Sequence, residues 1–412
     1  MNRVAILAGV RTPFAKMGTS LRELDAADLG RTAVAALLAR TGVDPARIDE
    51  VILGCVAQPP DAPNLARVVA LRSGIPESVP ALTVQRNCAS GLEAIFEAAR
   101  RLRMGEGSLY LVGGVESMSQ VPFLFPQSAA RKFSAVAAAK SPLQKIWALG
   151  ALRLKDFRPV PGLKLGLTDP VCGLNMGETA EVLAREFSIG REAQDAFALR
   201  SHRRAAASDF RNEITPAYDT RHGLAIEEDN GIRSGQSLAA LAKLKPIFEE
   251  ETGTVTAGNS SQITDGAVAL FLGTDAVAAR LGLTPMGYLT GSAVVGCDPV
   301  RMGMGPVFAI QRLLAETGLR LEDADRVEIN EAFAVQVLAV LQQLKSLGIG
   351  EIPDDRLNVH GGAIALGHPV GATGARLVLT ALEELQNQNL NRALVSLCVG
   401  GGQGAAAWLE RL

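Results

Sequence analysis

Aromatic side chains are scarce, at 13 Phe, 3 Tyr and 2 Trp in 412 residues. With 48% apolar residues against 20% charged, the interior must be filled by aliphatic side chains, as in a tightly packed globular protein. An excess of one charge is also missing. The 41 Lys and Arg oppose 43 Asp and Glu for a net of −2, which excludes the basic surplus with which nucleic-acid binders displace counterions. The five cysteines, Cys55, Cys88, Cys172, Cys297 and Cys398, contain no C-x-x-C pair. That excludes a zinc ribbon, argues against a disulfide framework, and suits thiols of a reducing compartment. No apolar run approaches the roughly 18 residues that a membrane-spanning helix needs. The apolar stretch before Arg11 is too short for a secretory signal and reads as a first strand. The expectation is a cytoplasmic protein, or one in an organelle lumen after removal of a targeting segment.

Glycine, by contrast, is abundant. Its 42 residues make up about a tenth of the chain, so backbone must turn sharply or approach something closely at many points. The length corresponds to about two to three domains. Through the first 115 residues short apolar runs alternate with helical patterns: strands at Val4 to Leu7, Glu50 to Cys55 and Ser108 to Val112, helices at Ala26 to Arg40 and Asn64 to Arg72. The last 130 residues repeat the theme, with strands at Met286 to Ser292 and Arg326 to Ile329 and helices at Val307 to Glu316 and Ala332 to Leu344. The pattern predicts an α/β fold on a mostly parallel sheet. An internal echo suggests duplication. Ser90-Gly91 opens a helix whose following strand ends in Gly113-Gly114, and Thr373-Gly374 opens one whose following strand runs into Gly400-Gly401-Gly402.

Between the halves lies a segment of different character, 120–251. From Ala129 to Gly166 eight basic residues face the single acid Asp156, a local +7 against −9 in the rest of the chain. Leu143, Ile146, Trp147, Leu149, Leu152 and Leu154 interleave with these charges at near-helical spacing. The segment reads either as an amphipathic basic element that docks elsewhere or as a solvated helix lying on the core.

Four places carry candidate chemistry. Cys88, in Asn87-Cys88-Ala89-Ser90-Gly91, sits at a helix N-terminus, where the macrodipole favours a thiolate; otherwise it is a small buried hydrophobe. His368 lies in the glycine-rich Gly361 to Pro369 turn and reads as a base or as an incidental loop histidine. Cys398 opens Cys398-Val399-Gly400-Gly401-Gly402-Gln403-Gly404, whose backbone N–H groups suit an oxyanion hole or a plain tight turn. Asn330-Glu331-Ala332-Phe333 puts a polar pair at a strand-to-helix junction, an ordinary helix start if taken alone.

Taken together and in this order, these four blocks resemble the signature blocks of the thiolases. Thr254 to Ser261 and Arg11-Thr12-Pro13-Phe14 match as well, so the resemblance spans the chain. It implies a five-layer αβαβα thiolase fold of two similar halves, the first from 1–119 and 252–280 and the second from 281–412, with a loop domain inserted at 120–251. It also implies a ping-pong reaction with coenzyme A as substrate, acyl-CoA and CoA as the partners bound, no metal and no permanently bound cofactor, in a homodimer or tetramer. Cys88 would attack the keto carbon of a 3-ketoacyl-CoA, His368 would take its proton, and Cys398 would exchange a proton with the acetyl-CoA enolate. Asn330, through a water, and His368 would stabilise that enolate, and the backbone N–H groups of Cys88 and Gly400 the acyl-enzyme oxyanion. Arg233, Ser261 and Met176 match positions near CoA, although Asn175 stands where short-chain synthetic thiolases have His.

The middle segment is similar to the β subunits of fatty-acid oxidation trifunctional complexes, which implies an α-subunit partner, while the +7 charge and apolar interleaving of residues 129–166 point to an acidic partner or an anionic membrane surface. Asn330 and Ala363 to Leu366 instead follow the ordinary thiolases, so chain-length preference does not carry over, and His360 reads as a structural substitution. The degradative cleavage of 3-ketoacyl-CoA in fatty-acid β-oxidation is the leading expectation, with acetoacetyl-CoA synthesis as its alternative. A decarboxylating ketoacyl synthase would lack the second cysteine, and a noncatalytic lipid carrier or scaffold would have no reason to keep Cys88, Asn330, His368 and Cys398.

Overall fold

The computed structural model describes residues 3–411. The chain divides into two compact units, one from the residues up to 120 with those from 169 onward, the other from 121–168.

In the larger unit the first half runs β1 (Ala5–Arg11), α1 (Ala26–Thr41), β2 (Glu50–Gly54), α2 (Leu65–Arg72), β3 (Ala81–Val84), α3 (Ser90–Met104) and β4 (Leu109–Glu116). Two helices follow, α4 (Met176–Glu186) and α5 (Arg191–Ala207), before β5 (Thr264–Gly273) completes that half. The second half runs β6 (Gly287–Gly296), α6 (Gly305–Thr317), β7 (Arg326–Ile329), α7 (Ala334–Ser346), α8 (Val370–Asn387), β8 (Arg392–Val399) and β9 (Gln403–Glu410). The strand order is β3-β2-β4-β5-β1 in the first half and β7-β8-β9-β6 in the second. Ala5 and Ile6 pair with Tyr288 and Gly287 and link the two. Leu357 makes one parallel bridge to Val327 of β7, in the place that β3 takes beside β2. The two halves therefore share one strand order, and the glycine echo in the sequence reflects a repeated architecture.

The sheet is mixed, not mostly parallel as the α/β alternation predicts. Parallel pairing is confined to the outer strands, β2 with β3 and β4, and β7 with β8. Strand β9 returns from β8 by a tight hairpin and β5 arrives after the long insert, so both join their neighbours antiparallel.

Side-chain alternation along the strands builds the layers. Tyr110 and Val112 of β4 share a core with α3 and α8, while Leu109 and Leu111 face the core under α1 and α2. Ala405, Ala407 and Leu409 of β9 point into the α3/α8 core, and Ala406 and Trp408 into the core under α6 and α7. The order is thus α1/α2, sheet, α3/α8, sheet, α6/α7, the five αβαβα layers. Strands covered on both faces read as unbroken apolar runs, which is why they stood out in the sequence.

Of the segment 120–251, only 121–168 forms a unit of its own. Leu183 of α4 and Phe197 and Ala198 of α5 join the core under α6 and α7. The fully buried Arg11 ties β1 to Glu213 at 2.8 Å and to Asp229 at 2.7 Å. These contacts are distant in sequence, so local composition does not show them.

Within 121–168, helices Gln127–Ala138 and Pro142–Gly150 precede a one-turn helix at Leu154–Phe157. Phe133 stacks against Phe125 and Phe157, with ring centroids 5.2 and 5.7 Å apart. Asp156 binds Lys132 at 2.7 Å and the N–H of Arg153 at 2.8 Å. The second helix ends at Gly150, so Leu152 and Leu154 lie beyond the face that Leu143, Ile146 and Trp147 occupy.

Candidate active site

Cys88 is carried on the five residues between β3 and α3. Asn87, just before it, is left-handed at φ 41°, a sharp turn that three hydrogen bonds hold. The Arg86 N–H donates to Ser90 Oγ (2.9 Å), Ser90 Oγ donates to the Asn87 carbonyl (2.7 Å), and Asn87 Nδ2 donates to the Gly400 carbonyl (2.7 Å). That last bond ties the Cys88 turn to the β8–β9 hairpin of the other half. Helix α3 has no side-chain cap, since its N-cap is Ala89. The backbone N–H groups of Gly400 and of Cys88 itself favour the charged form of the Cys88 sulfur. Burial nevertheless outweighs these donors and raises the thiol above its ordinary value, with the Glu116 carboxylate adding to the rise. The thiolate expected from the helix dipole is therefore corrected: in the free protein Cys88 is held as a thiol.

His368 closes the second-half loop. Its N–H donates to the Gln262 carbonyl (2.9 Å). Its Nδ1 lies 2.7 Å from Thr373 Oγ1, which also lies 3.0 Å from the Pro369 carbonyl. A carbonyl only accepts, so the Thr373 hydroxyl donates to Pro369 and accepts from His368 Nδ1–H. That assignment leaves Nε2 unprotonated. Nε2 is buried and has no hydrogen-bond partner among the described residues. Burial, helped by the Arg376 charge, lowers the imidazole pKa to about 4, so the ring is neutral at physiological pH. Arg376 itself is fully buried, 3.3 Å from Glu328.

The loop that leads to His368 is pinned by Glu331. Its carboxylate accepts Ser201 Oγ (2.6 Å), Asn358 Nδ2 (3.0 Å) and the Ile364 N–H (3.3 Å). A Cβ at Gly362 would lie 2.4 Å from the Glu331 carboxyl carbon, so only glycine fits there. Asn330, one residue earlier, donates its backbone N–H to the Ser396 carbonyl at 2.9 Å. Both polar atoms of its side chain are buried without a partner among the described residues. An unpaired buried amide and an unpaired buried imidazole nitrogen are costly, which makes both candidates for holding a substrate or water.

Cys398 is the penultimate residue of β8, two residues before Gly400. It is buried, and burial together with the neighbouring Cys88 thiol raises its pKa well above the ordinary value. Gly401 and Gly402 carry φ values of 88° and 78°, which turn the chain into β9. A Cβ on Gly400 would sit 3.2 Å from Met176 Sδ, so Met176, the first residue of α4, reaches the site. Asn175 is the helix cap, accepting the N–H groups of Gly177 and Glu178 at 3.0 Å each. Ser261 donates its N–H to the Ala332 carbonyl (2.9 Å), two residues past Asn330. Arg233 is exposed; partial burial, and after it the Arg233 charge, lowers the pKa of Lys16. Neither cation forms an ion pair among the described residues.

The structure thus brings Cys88, Cys398, Gly400 and Met176 around one hairpin and places Arg233 on an exposed loop. His360 bridges Ser208 and Glu384, at 2.8 Å each, in a structural role. Sequence reasoning missed Thr373, Asn87, Glu116 and Lys16. Thr373 was visible only as a helix opener; its position five residues after His368 was the available signal. Among the described residues no group of His, Cys, Asp and Glu could hold a metal ion, and no helix is long and apolar enough to cross a membrane.

Family models for the thiolase N-terminal domain and the thiolase C-terminal domain match residues 4–276 and 283–411. The chain is 40% identical to the 3-ketoacyl-CoA thiolase of Serratia proteamaculans (strain 568), over 99% of this chain and 97% of that protein. It is 42% identical to the acetyl-CoA acetyltransferase of Chromobacterium violaceum, over 99% of each. Among solved structures, the Bacillus anthracis acetyl-CoA acetyltransferase superposes with a TM-score of 0.90 at 37% identity, covering 100% of this chain and 99% of that one. Human mitochondrial 3-ketoacyl-CoA thiolase in complex with CoA gives 0.88 at 37% identity, covering 100% and 98%. With both family models matched, relatives of about 40% identity along nearly the whole length, and the same layered fold, the chain belongs to the thiolase family.

Proposed function

We propose that this thiolase, an acyltransferase, carries out CoA-dependent cleavage of 3-ketoacyl-CoA to acetyl-CoA and an acyl-CoA two carbons shorter, with Cys88 as the covalent nucleophile. The observation that carries the proposal is the meeting of two neutral thiols, Cys88 and Cys398, at the Gly400 hairpin; the buried and unpartnered His368 Nε2 and Asn330 amide are the groups we assign to act with them.

The steps follow from the protonation states. Neutral His368 accepts the Cys88 proton at Nε2 as sulfur bonds to the keto carbon. The oxyanion so formed takes the N–H groups of Gly400 and Cys88, the two backbone groups that favour negative charge at the sulfur. The carbon–carbon bond breaks, leaving Cys88 as a thioester and the bond electrons on the enolate of acetyl-CoA. Cys398 gives its proton to the enolate carbon and becomes a thiolate. The enolate oxygen is stabilised by the His368 imidazolium and by a water held on Asn330. CoA thiol then transfers its proton to Cys398 and attacks the thioester; the departing Cys88 sulfur recovers its proton from His368. Run backwards, the same steps condense two acetyl-CoA molecules, the direction suggested by the acetyltransferase names among the relatives. Arg233 with Lys16 offers two unpaired cations to the CoA phosphates, Ser261 and Met176 line the path of the pantetheine, and the enzyme works as a homo-oligomer.

The deciding experiment incubates wild type and Cys88→Ala with acetoacetyl-CoA and longer 3-ketoacyl-CoA, and maps the acylated residue after acetyl-CoA treatment. Loss of cleavage with the acetyl group on Cys88 is expected. Wild-type cleavage by Cys88→Ala, or the acyl group on another cysteine, overturns the assignment. A kcat/KM series over chain length identifies the preferred substrate.

A further inference from the structure

The unit formed by residues 121–168 has almost no interior. Ala129 and Asp156 are its buried residues, and helix Pro142–Gly150 buries none of its side chains. On a helix of 3.6 residues per turn, Leu143, Ile146 and Trp147 fall within an arc of about 100°, with Lys145 on the other side. All three are open to solvent, Trp147 at 76%. Leu154, just beyond, is 93% exposed. The polar side chains Ser141 and Gln144 are engaged in a capping box. The same small unit carries Arg131, Lys140, Lys145, Arg153, Lys155, Arg158 and Lys164, all exposed and none in an ion pair among the described residues. The one acid, Asp156, is committed to Lys132.

An exposed apolar strip of this kind calls for a partner, and the seven free cations set the partner's sign. We propose that this unit docks the protein onto an anionic lipid bilayer, with Leu143, Ile146 and Trp147 entering the headgroup region and the Lys and Arg side chains meeting lipid phosphates. A short helix with Trp, Leu and Ile on one face and cations around it is the composition of helices that lie in the membrane interface. A second copy of the same patch is disfavoured, because a two-fold contact would set +7 against +7. A specific acidic protein is also a poorer fit: the face has charge and apolar area but no free hydrogen-bonding pattern with which to read one surface. The proposal is independent of the thiolytic reaction.

The full-length protein provides its own probe, since Trp147 is exposed and the other tryptophan, Trp408, is fully buried. Flotation with phosphatidylcholine vesicles, with and without phosphatidylglycerol, is expected to show at least about tenfold more binding to the anionic vesicles, with a blue shift of Trp147 emission. Binding should disappear in about 1 M salt, where the Debye length is about 3 Å. Lys145→Glu with Arg153→Glu and Lys155→Glu should lose at least about 100-fold in affinity, while thiolysis by this variant stays at the wild-type rate and shows that it is folded. Equal binding to both vesicle types, an unmoved Trp147 emission or undiminished binding by the triple variant overturns the proposal. So does binding to polyglutamate without binding to vesicles, which would point to an acidic protein. A change of oligomer mass in Trp147→Glu without vesicle binding would overturn it in favour of self-association.

Discussion

Replacing Thr373 by Val tests the link between the fold and the chemistry at a single oxygen. The hydroxyl accepts from His368 Nδ1–H at 2.7 Å and so keeps the acceptor lone pair on Nε2. Valine preserves the volume and removes that acceptor inside a site where His368 is buried. Leaving a buried donor unpaired costs about 1–3 kcal/mol, which the ring escapes by moving its proton to Nε2, the nitrogen that has to accept one. Either way the barrier to acylation rises by about that amount, a loss of about 5- to 150-fold in kcat/KM. Stability should change much less, because the Pro369 carbonyl that loses the hydroxyl still accepts the N–H groups of Ala372 (2.9 Å) and Thr373 (3.0 Å). Single-turnover acylation of Cys88 and a denaturation curve on the same preparation separate the two effects. Thr373→Ser should keep nearly wild-type acylation. Wild-type acylation by Thr373→Val in a stably folded protein would refute the role given to this hydroxyl.

Three further outcomes follow from the same geometry. Alkylation of Cys88 by iodoacetamide should be slow at pH 7 and climb about tenfold per pH unit past the ordinary thiol value, because burial raises its pKa; a rate already flat from pH 6 would mean a preformed thiolate–imidazolium pair. His368 and His202, both lowered to about 4 by burial, stay neutral when folded, whereas unfolding lets them bind protons below about 6.5. Stability should therefore fall as pH drops from about 6.5 toward about 4, by up to about 3 kcal/mol for each group, and denaturant midpoints across that range should slope less in His202→Gln. Gly374→Ala would place a Cβ 2.7 Å from the Leu92 backbone nitrogen and should cost about 1–3 kcal/mol by overpacking, read as a lowered denaturation midpoint.

That last contact explains why the glycine echo was legible in the sequence. Gly374 presses on Leu92 at the start of α3, and a Cβ on Gly91 would meet the Gly371 carbonyl at 2.7 Å, so the two echoed motifs face one another in the middle layer. Close backbone approach admits only glycine, and a requirement on residue type is what a sequence can display. The strands were legible for a similar reason, since burial on both faces leaves no polar alternation. Features that depend on distant partners were not. Nothing local to Leu183 or Phe197 says that they pack under α6 and α7, so the segment taken to stand apart was drawn too long. The Cys88 thiol was misread because a helix start is visible in sequence whereas the depth of the pocket around it is not.

The charge states also account for the need for two thiols. Each of Cys88 and Cys398 is held protonated mainly by burial, and Cys88 in turn raises Cys398, so a negative charge on one sulfur makes a charge on the other harder to form. The pocket favours one thiolate at a time. In the proposed cycle, acylation of Cys88 turns its sulfur into an uncharged thioester and removes that repulsion at the moment when Cys398 gives up its proton to the enolate. Return of the proton from incoming CoA restores Cys398 to a thiol before the Cys88 sulfur is released. In that cycle the two groups alternate because each step lifts the electrostatic obstacle to the next, and the backbone N–H groups of Gly400 and Cys88, which favour negative charge at the Cys88 sulfur, are the donors assigned to the oxyanion.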